Sequence, residues 1–450
     1  MNTQEKSLVE GNVKVVMLKF ALPIFLGSLF QQLYNMADAL IVGNFAGDLA
    51  LAAISSTSTI VFLFMGFFIG MYQGMAVLIA RFFGAEDHVN VRKSVCTAVV
   101  FGICSGVFLT VCGVLFSQMV VNMVGTPDEV YQDSVIYLRF YFAGAVFTAI
   151  YNTMCGICRS LGDSRRPLYY LAIASVINVI LDLIFVASWG MGVKGAAIAT
   201  VIAQAISALL SYYRLRRLGE YSFAIRNVPE DFDANLLKQM VRIGIPTGVQ
   251  NSVIALANVV VQSSINSFGS IVMAGTGAYT KLQGIIFLPI EAFGMASTTF
   301  VSQNLGARQF QRVKAGARFG VTVACVSAEV MGIIAFIFAP SIIGIFGGGV
   351  EAVAVGALKL RVDALFFFFL AYAHSVSGVM RGAGRAKTPM LIMLGVWCVI
   401  RVLYIKGVMF FTDDVIFVFW AYPITWVLSG GMFFTAYRNL KKSLDKEILI

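Results

Sequence analysis

A motif of the form GxxRxxGxxxxP occurs twice in this chain, and the second copy follows the first by 222 positions, beginning at Gly378 instead of Gly156. Other landmarks keep the same offset, as Arg139 and Arg361 do. A chance match of one motif would not bring the others into register. The sequence therefore indicates one module that is written twice, so whatever fold the first half adopts, the second half should adopt as well.

Composition places both modules in a membrane. Of the 450 residues, 59% are hydrophobic and 12% charged, and the mean hydropathy is +0.84. A helix needs about 20 apolar residues to cross roughly 30 Å of hydrocarbon. The apolar stretches are long and continuous and lack the alternation of barrel strands, so we expect an all-α polytopic protein with twelve transmembrane helices. They run approximately over residues 14–38, 51–75, 94–122, 131–157, 166–188, 195–213, 240–265, 272–298, 316–340, 353–379, 388–410 and 415–437.

Six spans in each half return the chain to its starting side, so the two halves should have the same orientation. We expect two pseudo-symmetric six-helix lobes, related as parallel repeats by an axis along the membrane normal, with any substrate site near the bilayer midplane. Residues 1–218 form the predicted N-terminal lobe and residues 239–450 the C-terminal lobe. Residues 219–238 form a cytoplasmic linker, which we interpret as a solvated hinge.

The net charge of +10 does not indicate a nucleic-acid partner, because the basic residues collect in loops on one side of the predicted spans. Examples are the pairs Arg92-Lys93 and Arg165-Arg166. By the positive-inside rule that side is cytoplasmic. We therefore expect a multi-pass protein of the cell membrane, embedded in the lipid bilayer, with both termini in the cytoplasm.

The sequence offers few residues for catalysis or metal binding. All seven cysteines fall within predicted spans or, for Cys158, directly after one, and the two histidines, His88 and His374, lie far apart in the sequence. Asp413 and Asp414 form an acidic pair without a companion motif in an external loop. We therefore predict that the chain is not an enzyme and binds neither a metal nor a cofactor.

Ionisable side chains inside a span cost several kcal/mol and mark candidate functional sites. Asp38 in the first span shares a helical face with Gln31, Tyr34 and Asn35. Asp182 in the fifth span follows Asn178 by one turn. Further hydrogen-bonding side chains in the same half are Asn152, Thr200 and Gln204.

Two plainer roles remain open for these acids. Asp38 would cap a helix near the outer interface, or Asp182 would pair with Arg139. The duplication favours function instead, since neither acid recurs at the corresponding position of the other half. The second half carries its own unmatched residues in predicted spans, among them Glu291, Asp363 and Arg401.

A buried carboxyl group resists ionisation and can therefore exchange a proton. Protonation changes the charge that a cationic substrate meets, so proton and substrate would compete for one site. Sodium is an alternative, because carboxylate, amide and hydroxyl oxygens are hard ligands. Pro23 removes a backbone hydrogen bond in the span that carries Asp38, so we expect a hinge there.

Three stretches resemble the multidrug and toxic compound extrusion (MATE) transporters. They are LPIFLGSLFQQLYNMADALIVGNFAG, which contains Pro23 and Asp38, GAYTKLQ at Gly277, and FVSQNLGA at Phe300. The similarity covers essentially the whole chain. It implies twelve helices in two lobes, alternating access, and export of organic cations and other amphipathic compounds against inward H⁺ or Na⁺ flow.

Within that family the chain looks most similar to the DinF-like branch, which has a cation site in the N-terminal lobe. Pro23 matches the proline at which the first span is thought to bend. The NorM-like branch places an acid on span seven beside an aspartate on span ten; here Asp363 suits the second position, but the span-seven neighbourhood has Gln250 and no acid. The resemblance assigns the DinF-like site to Asp38, Asp182 and Asn178, with Thr200, Tyr137 and Asn152 as further members.

The sequence thus predicts a secondary transporter that exports small amphipathic or cationic molecules in exchange for H⁺ or Na⁺ and acts as a monomer. The alternative is a flippase for lipid-linked glycans or lipids from the same broader superfamily. Such flippases often have more spans and a more cationic cavity, so twelve spans and midplane acids favour the exporter.

Overall fold

A computed structural model describes residues 8–223, 227–347 and 349–448, so both chain ends lie outside the described residues. Within these ranges the ordered structure is helical and no strand occurs. Each of the twelve predicted stretches coincides with a helix or with a pair of consecutive helices. The all-α fold predicted from the sequence is confirmed.

Contacts divide the chain into two compact units. Unit 1 comprises residues 26–248 and unit 2 comprises residues 8–25 and 249–450. The helices of the first half are α1 (Val13–Ala46), α2 (Asp48–Gly84), α3 (His88–Met123), α4 (Asp128–Ala143), α5 (Ala145–Ser160), α6 (Arg165–Asp182), α7 (Gly192–Leu215) and α8 (Val228–Asp231), with a 3₁₀ turn at Gly219–Tyr221. Those that follow are α9 (Ala234–Asn266), α10 (Ser270–Gly306), α11 (Phe310–Ile337), α12 (Ala339–Gly344), α13 (Val350–Ala364), α14 (Phe367–Gly382), α15 (Lys387–Met393), α16 (Arg401–Phe411), α17 (Val415–Phe419) and α18 (Ala421–Ile448).

The units differ from the predicted lobes at two helices. The chain leaves unit 2 between Phe25 and Leu26 within α1, and leaves unit 1 between Gly248 and Val249 within α9. Both points lie a few residues after a proline inside a helix, Pro23 in the first case. Residues 8–25 therefore pack with the second half of the chain, although sequence order assigns them to the first.

Ten of the described helices are long and apolar enough to span a membrane, and α4 with α5, bent by 49°, makes an eleventh. The predicted tenth span, residues 353–379, corresponds to α13 followed by α14. α13 carries four ionisable residues, an unusual number for a membrane-spanning helix. They are Glu351, Lys359, Arg361 and Asp363.

Among the described residues, each half has a π-helical segment in its fifth predicted span, although the second lies 11 positions before the place that the offset of 222 would give. Leu183–Ser188 continues α6, and Leu394–Ile400 joins α15 to α16. Asp182 directly precedes the first segment and Arg401 directly follows the second. Because π turns widen a helix and often occur at functional sites, both ionisable residues lie at candidate functional positions.

The described part of the linker is not a solvated hinge, contrary to our prediction. Tyr221 and Asp231 in this stretch are buried. Asp231 forms an ion pair with Arg92 of α3 at 2.9 Å, and the backbone N–H of Asp233 donates to Thr97 at 3.1 Å. The described linker residues are therefore part of unit 1, because apolar and charged side chains hold them against α3.

Close helix packing within unit 1 depends on facing glycines. A Cβ added at Gly74 would lie 2.3 Å from the Cα of Gly244, and one at Gly70 would lie 2.4 Å from the backbone nitrogen of Gly248. Two GxxxG faces thus bring α2 and α9 into backbone contact.

We predict that Gly74→Ala lowers the thermal unfolding temperature of the purified protein, because overpacking costs about 1–3 kcal/mol and outweighs the better helix propensity of alanine. The matched control is Gly277→Ala in α10, where an added Cβ meets nothing within 4 Å. Scanning fluorimetry of both variants tests this. Equal melting temperatures for the two would contradict the packing argument.

Candidate functional site

Asp38 lies in the interior of α1, partly buried. The sequence placed it near the end of a span that closes at residue 38, but α1 continues for two further turns to Ala46. A helix cap requires a terminal position, so the capping alternative for Asp38 is wrong. The carboxyl group is available for other partners.

The carboxyl groups of Asp38 and Asp182 are within hydrogen-bonding contact of one another. Asp182 is fully buried, and the Oδ1 atom of each residue has no hydrogen-bond partner among the described residues. Two carboxylates in contact repel each other strongly in a low dielectric, so both are not ionised without a bound cation. The pair is therefore suited to binding a proton or a cation.

Asn178 and Thr200 extend this pair on the side of α6 and α7. With the Asn178 amide oriented to suit its neighbours, its nitrogen donates to Asp182 Oδ2 at 2.9 Å and its oxygen accepts from the Thr200 backbone N–H at 3.3 Å. That orientation is assigned from the hydrogen-bond network. Both side chains are buried, so the amide fixes Asp182 relative to α7.

Tyrosines cover the carboxyl pair. The Tyr34 side chain lies near Thr200 and near both acids. Tyr137 of α4 is buried, also lies near Asp38 and Asp182, and stacks on Tyr141 with ring centroids 6.0 Å apart. Sequence reasoning missed Tyr141, although it follows Tyr137 by four residues and so shares its helical face.

The second plain alternative, a pair between Asp182 and Arg139, is also wrong. Arg139 Nε donates to Ser117 Oγ at 3.3 Å, whereas Asp182 faces Asp38. The arginine of this duplicated position thus joins α4 to α3 by a side-chain hydrogen bond. Its role is structural.

The remaining residues predicted for this half have different surroundings. Gln31 and Asn35 are exposed on α1. Asn152 donates to the carbonyl of Thr148 one turn earlier at 2.9 Å. The buried Oε1 of Gln204, one turn after Thr200, has no hydrogen-bond partner among the described residues. Gln204 is therefore the amide of this group with a buried oxygen that can still accept a hydrogen bond.

Pro23 is buried within α1, which is helical on both sides of it. The boundary between the compact units follows two residues later. A proline leaves one carbonyl of the preceding turn without its helical donor, so this is the weakest point in the backbone of α1. The hinge itself remains a prediction.

Unit 2 contains a different arrangement around Asp363. Its Oδ2 accepts from Lys359 Nζ at 3.0 Å and from the Tyr279 hydroxyl, and both ionisable residues are buried. Arg401 is buried nearby and donates twice to Thr425 Oγ1, at 3.0 Å and 2.8 Å. Asp363 is therefore already paired with a cation from its own helix.

Sequence reasoning missed Lys359, although a signal was present. Lysine and aspartate four residues apart on a helix lie side by side, and Lys359 precedes Asp363 by that interval.

Two further candidates of this half have other partners. Gln250 donates to the sulfur of Met393 at 2.9 Å, and Glu291 lies within electrostatic reach of Arg381. Neither is among the hydrogen-bond partners found for Asp363. In the described residues no group of three or more histidine, cysteine or acidic side chains could hold a metal ion.

Taken together, a duplicated helical fold and a buried acid pair define a multi-pass membrane transporter. The chain belongs to the MatE family, whose model matches residues 23–184 and 246–405. It is a transporter and not an enzyme.

Two relatives illustrate the similarity. The chain is 29% identical to the probable multidrug resistance protein YpnP of Bacillus subtilis (strain 168) over 392 residues, which cover 87% of each chain. It is 25% identical to the probable multidrug resistance protein NorM of Thermotoga maritima over 390 residues, which cover 86% of this chain and 83% of that protein.

Solved structures share the fold. A MOP superfamily transporter from Pyrococcus furiosus superposes with a TM-score of 0.92 at 21% identity, covering 99% of both chains. A MATE protein described in a bent conformation gives a TM-score of 0.89 at 22% identity, covering 98% of both. These comparisons establish the architecture of the whole chain.

Proposed function

We propose that this protein exports organic cations or other amphipathic drugs and metabolites from the cell in exchange for H⁺ or Na⁺. The observation that carries the proposal is the contact between the carboxyl groups of Asp38 and Asp182 in a buried, tyrosine-lined part of unit 1. The relatives named as multidrug resistance proteins support the same substrate class.

The chemistry follows from charge. A proton shared by the two carboxyl groups leaves the pair with one negative charge, and a second proton leaves none. An organic cation is attracted by the unprotonated pair and released when the pair is neutralised. Export is thus coupled to ion entry, since one site cannot hold both the ion and the substrate cation.

Both coupling ions suit this site on chemical grounds. A proton satisfies the contact between Asp38 and Asp182 directly. Sodium would take the oxygens of the carboxyl groups, Asn178 and Thr200, which are hard ligands. The DinF-like assignment, with Pro23 as the hinge of α1 during alternating access, belongs to the same proposal.

The orientation and setting are also part of the proposal. Basic residues at the starts of α3 and α6, such as Arg92 and Arg165, favour a cytoplasmic location for that side and for both termini. We place the protein in the cell membrane as a monomer, with small molecules as its substrates and no cofactor.

Proteoliposomes loaded with a permanently cationic fluorescent dye test the proposal. We expect dye movement when a pH gradient is imposed without sodium, or when a sodium gradient is imposed at equal pH, and none in protein-free vesicles. The gradient that drives transport identifies the ion. Dye movement that ignores both gradients would overturn the exchange mechanism.

A further inference from the structure

In unit 2, Lys359 occupies a site built to hold an ammonium ion. Its Nζ lies 4.6 Å from the ring centre of Tyr279, 5.1 Å from that of Phe419 and 4.2 Å from that of Tyr422. The Asp363 carboxylate completes the shell at 3.0 Å. Rings within about 6 Å attract a cation through their negative faces, and such cages recognise alkylammonium groups.

The surrounding charges show that this is a site for one cation. Lys359 and Asp363 neutralise each other, and both are buried. Arg401 is the other cation near the carboxylate, but its guanidinium is held by Thr425 and stacks on Tyr422 and Trp397, with ring centres at 4.4 Å and 5.4 Å. Arg401 is thus anchored outside the cage.

The duplication shows which residues around Asp363 differ from their counterparts in unit 1. With the offset of 222 positions, Lys359 corresponds to Tyr137, Asp363 to Tyr141, and Tyr422 to Thr200. The positions that surround the carboxyl pair in unit 1 therefore recur around Asp363. In unit 2 a lysine replaces a tyrosine, and the chain itself supplies the cation.

We propose that the cage of Tyr279, Phe419, Tyr422 and Asp363 is an alkylammonium-binding site that Lys359 fills as a tethered ligand. In the intact protein Lys359 keeps free sodium and small organic cations away from Asp363. Unit 2 then contributes no second site for a coupling ion. This inference depends on contacts in unit 2 alone and holds whichever ion the carboxyl pair of unit 1 exchanges.

Chemical rescue tests the proposal. Lys359→Ala removes three methylene carbons and the ammonium, which together equal n-propylammonium. We expect the variant to unfold at a lower temperature than the wild type, and n-propylammonium chloride to restore several degrees. Once the concentration exceeds the dissociation constant, each tenfold increase should add a similar increment, because binding to the folded state stabilises by mass action.

Four controls separate a built site from general effects. Sodium chloride at equal ionic strength and neutral 1-propanol should not restore the melting temperature of Lys359→Ala. Propylammonium should have no effect on the wild type, whose cage is filled. It should also have no effect on Lys359→Ala/Asp363→Asn, which lacks the carboxylate.

Equal shifts in the wild type, the single variant and the double variant would overturn the proposal. If Lys359→Ala is recovered unfolded, the yield of monodisperse protein becomes the measurement. Extraction with propylammonium should then raise the yield of Lys359→Ala and leave that of the double variant unchanged. An unchanged yield of Lys359→Ala would contradict the proposal as firmly as a missing thermal shift.

Discussion

Proteoliposomes containing Asp38→Asn or Asp182→Asn are expected to show no gradient-driven export of a cationic dye, with rates equal to those of protein-free vesicles. Either change replaces a group that gains and loses charge with one that has none. The remaining carboxyl group no longer faces a second acid. Without that repulsion it keeps its negative charge, so a bound cation is not released. Initial rates of dye movement, normalised to reconstituted protein, provide the measurement.

The variants should remain folded, since asparagine keeps the size and hydrogen-bonding capacity of aspartate and removes a buried charge. Asp413→Asn is the matched control, because Asp413 is exposed between α16 and α17. It should transport at the wild-type rate. Full transport by both Asp38→Asn and Asp182→Asn would reject the proposed role of the acid pair.

The fold could be predicted because a membrane leaves few choices. Apolar stretches of sufficient length must be helical when every backbone group has to be satisfied internally, and the offset of 222 positions showed that the two halves match. Helix ends were harder to place. The predicted first span closes at Asp38, but α1 continues for eight more residues to Ala46. That segment is itself mostly apolar, so a single polar residue was a poor marker of the helix end.

The division into compact units could not be predicted from sequence order. Residues 8–25 pack with unit 2, and the described part of the linker packs with unit 1. Both outcomes depend on tertiary contacts between residues far apart in the chain, such as the bond from Leu8 N–H to Gln303 at 2.8 Å. Composition identifies which segments are buried, but it does not identify their neighbours.

The candidate site was predictable where polar residues stood alone in apolar spans. Asp38 and Asp182 could be identified because an ionisable side chain in an apolar span costs free energy, and the structure places them in contact. Tyr141 did not stand out, since tyrosine is common in membrane spans. The sequence correctly indicated that Asp363 is a buried acid. It did not show that Lys359 forms an ion pair with Asp363 and neutralises its charge.

The ion pair between Lys359 and Asp363 gives a second prediction with a large expected effect. Asp363→Asn should cause most of the protein to be lost during purification, because it leaves the ammonium of Lys359 buried without its counter-ion. Removing one partner of a buried pair costs about 3–5 kcal/mol because it leaves an uncompensated charge, while replacing both partners with uncharged groups leaves none. Lys359→Met/Asp363→Asn should therefore recover near wild-type yield and melting temperature.

Measurements of transport distinguish this loss of folded protein from a loss of transport activity. Per molecule of folded protein, Lys359→Met/Asp363→Asn should retain far more dye export than Asp182→Asn, because the acid pair of unit 1 is intact. Size-exclusion profiles and normalised efflux rates measure the two quantities independently. A well-folded double variant as inactive as Asp182→Asn would move ion coupling into unit 2, where Asp363 would then exchange its charge between Lys359 and the coupling ion.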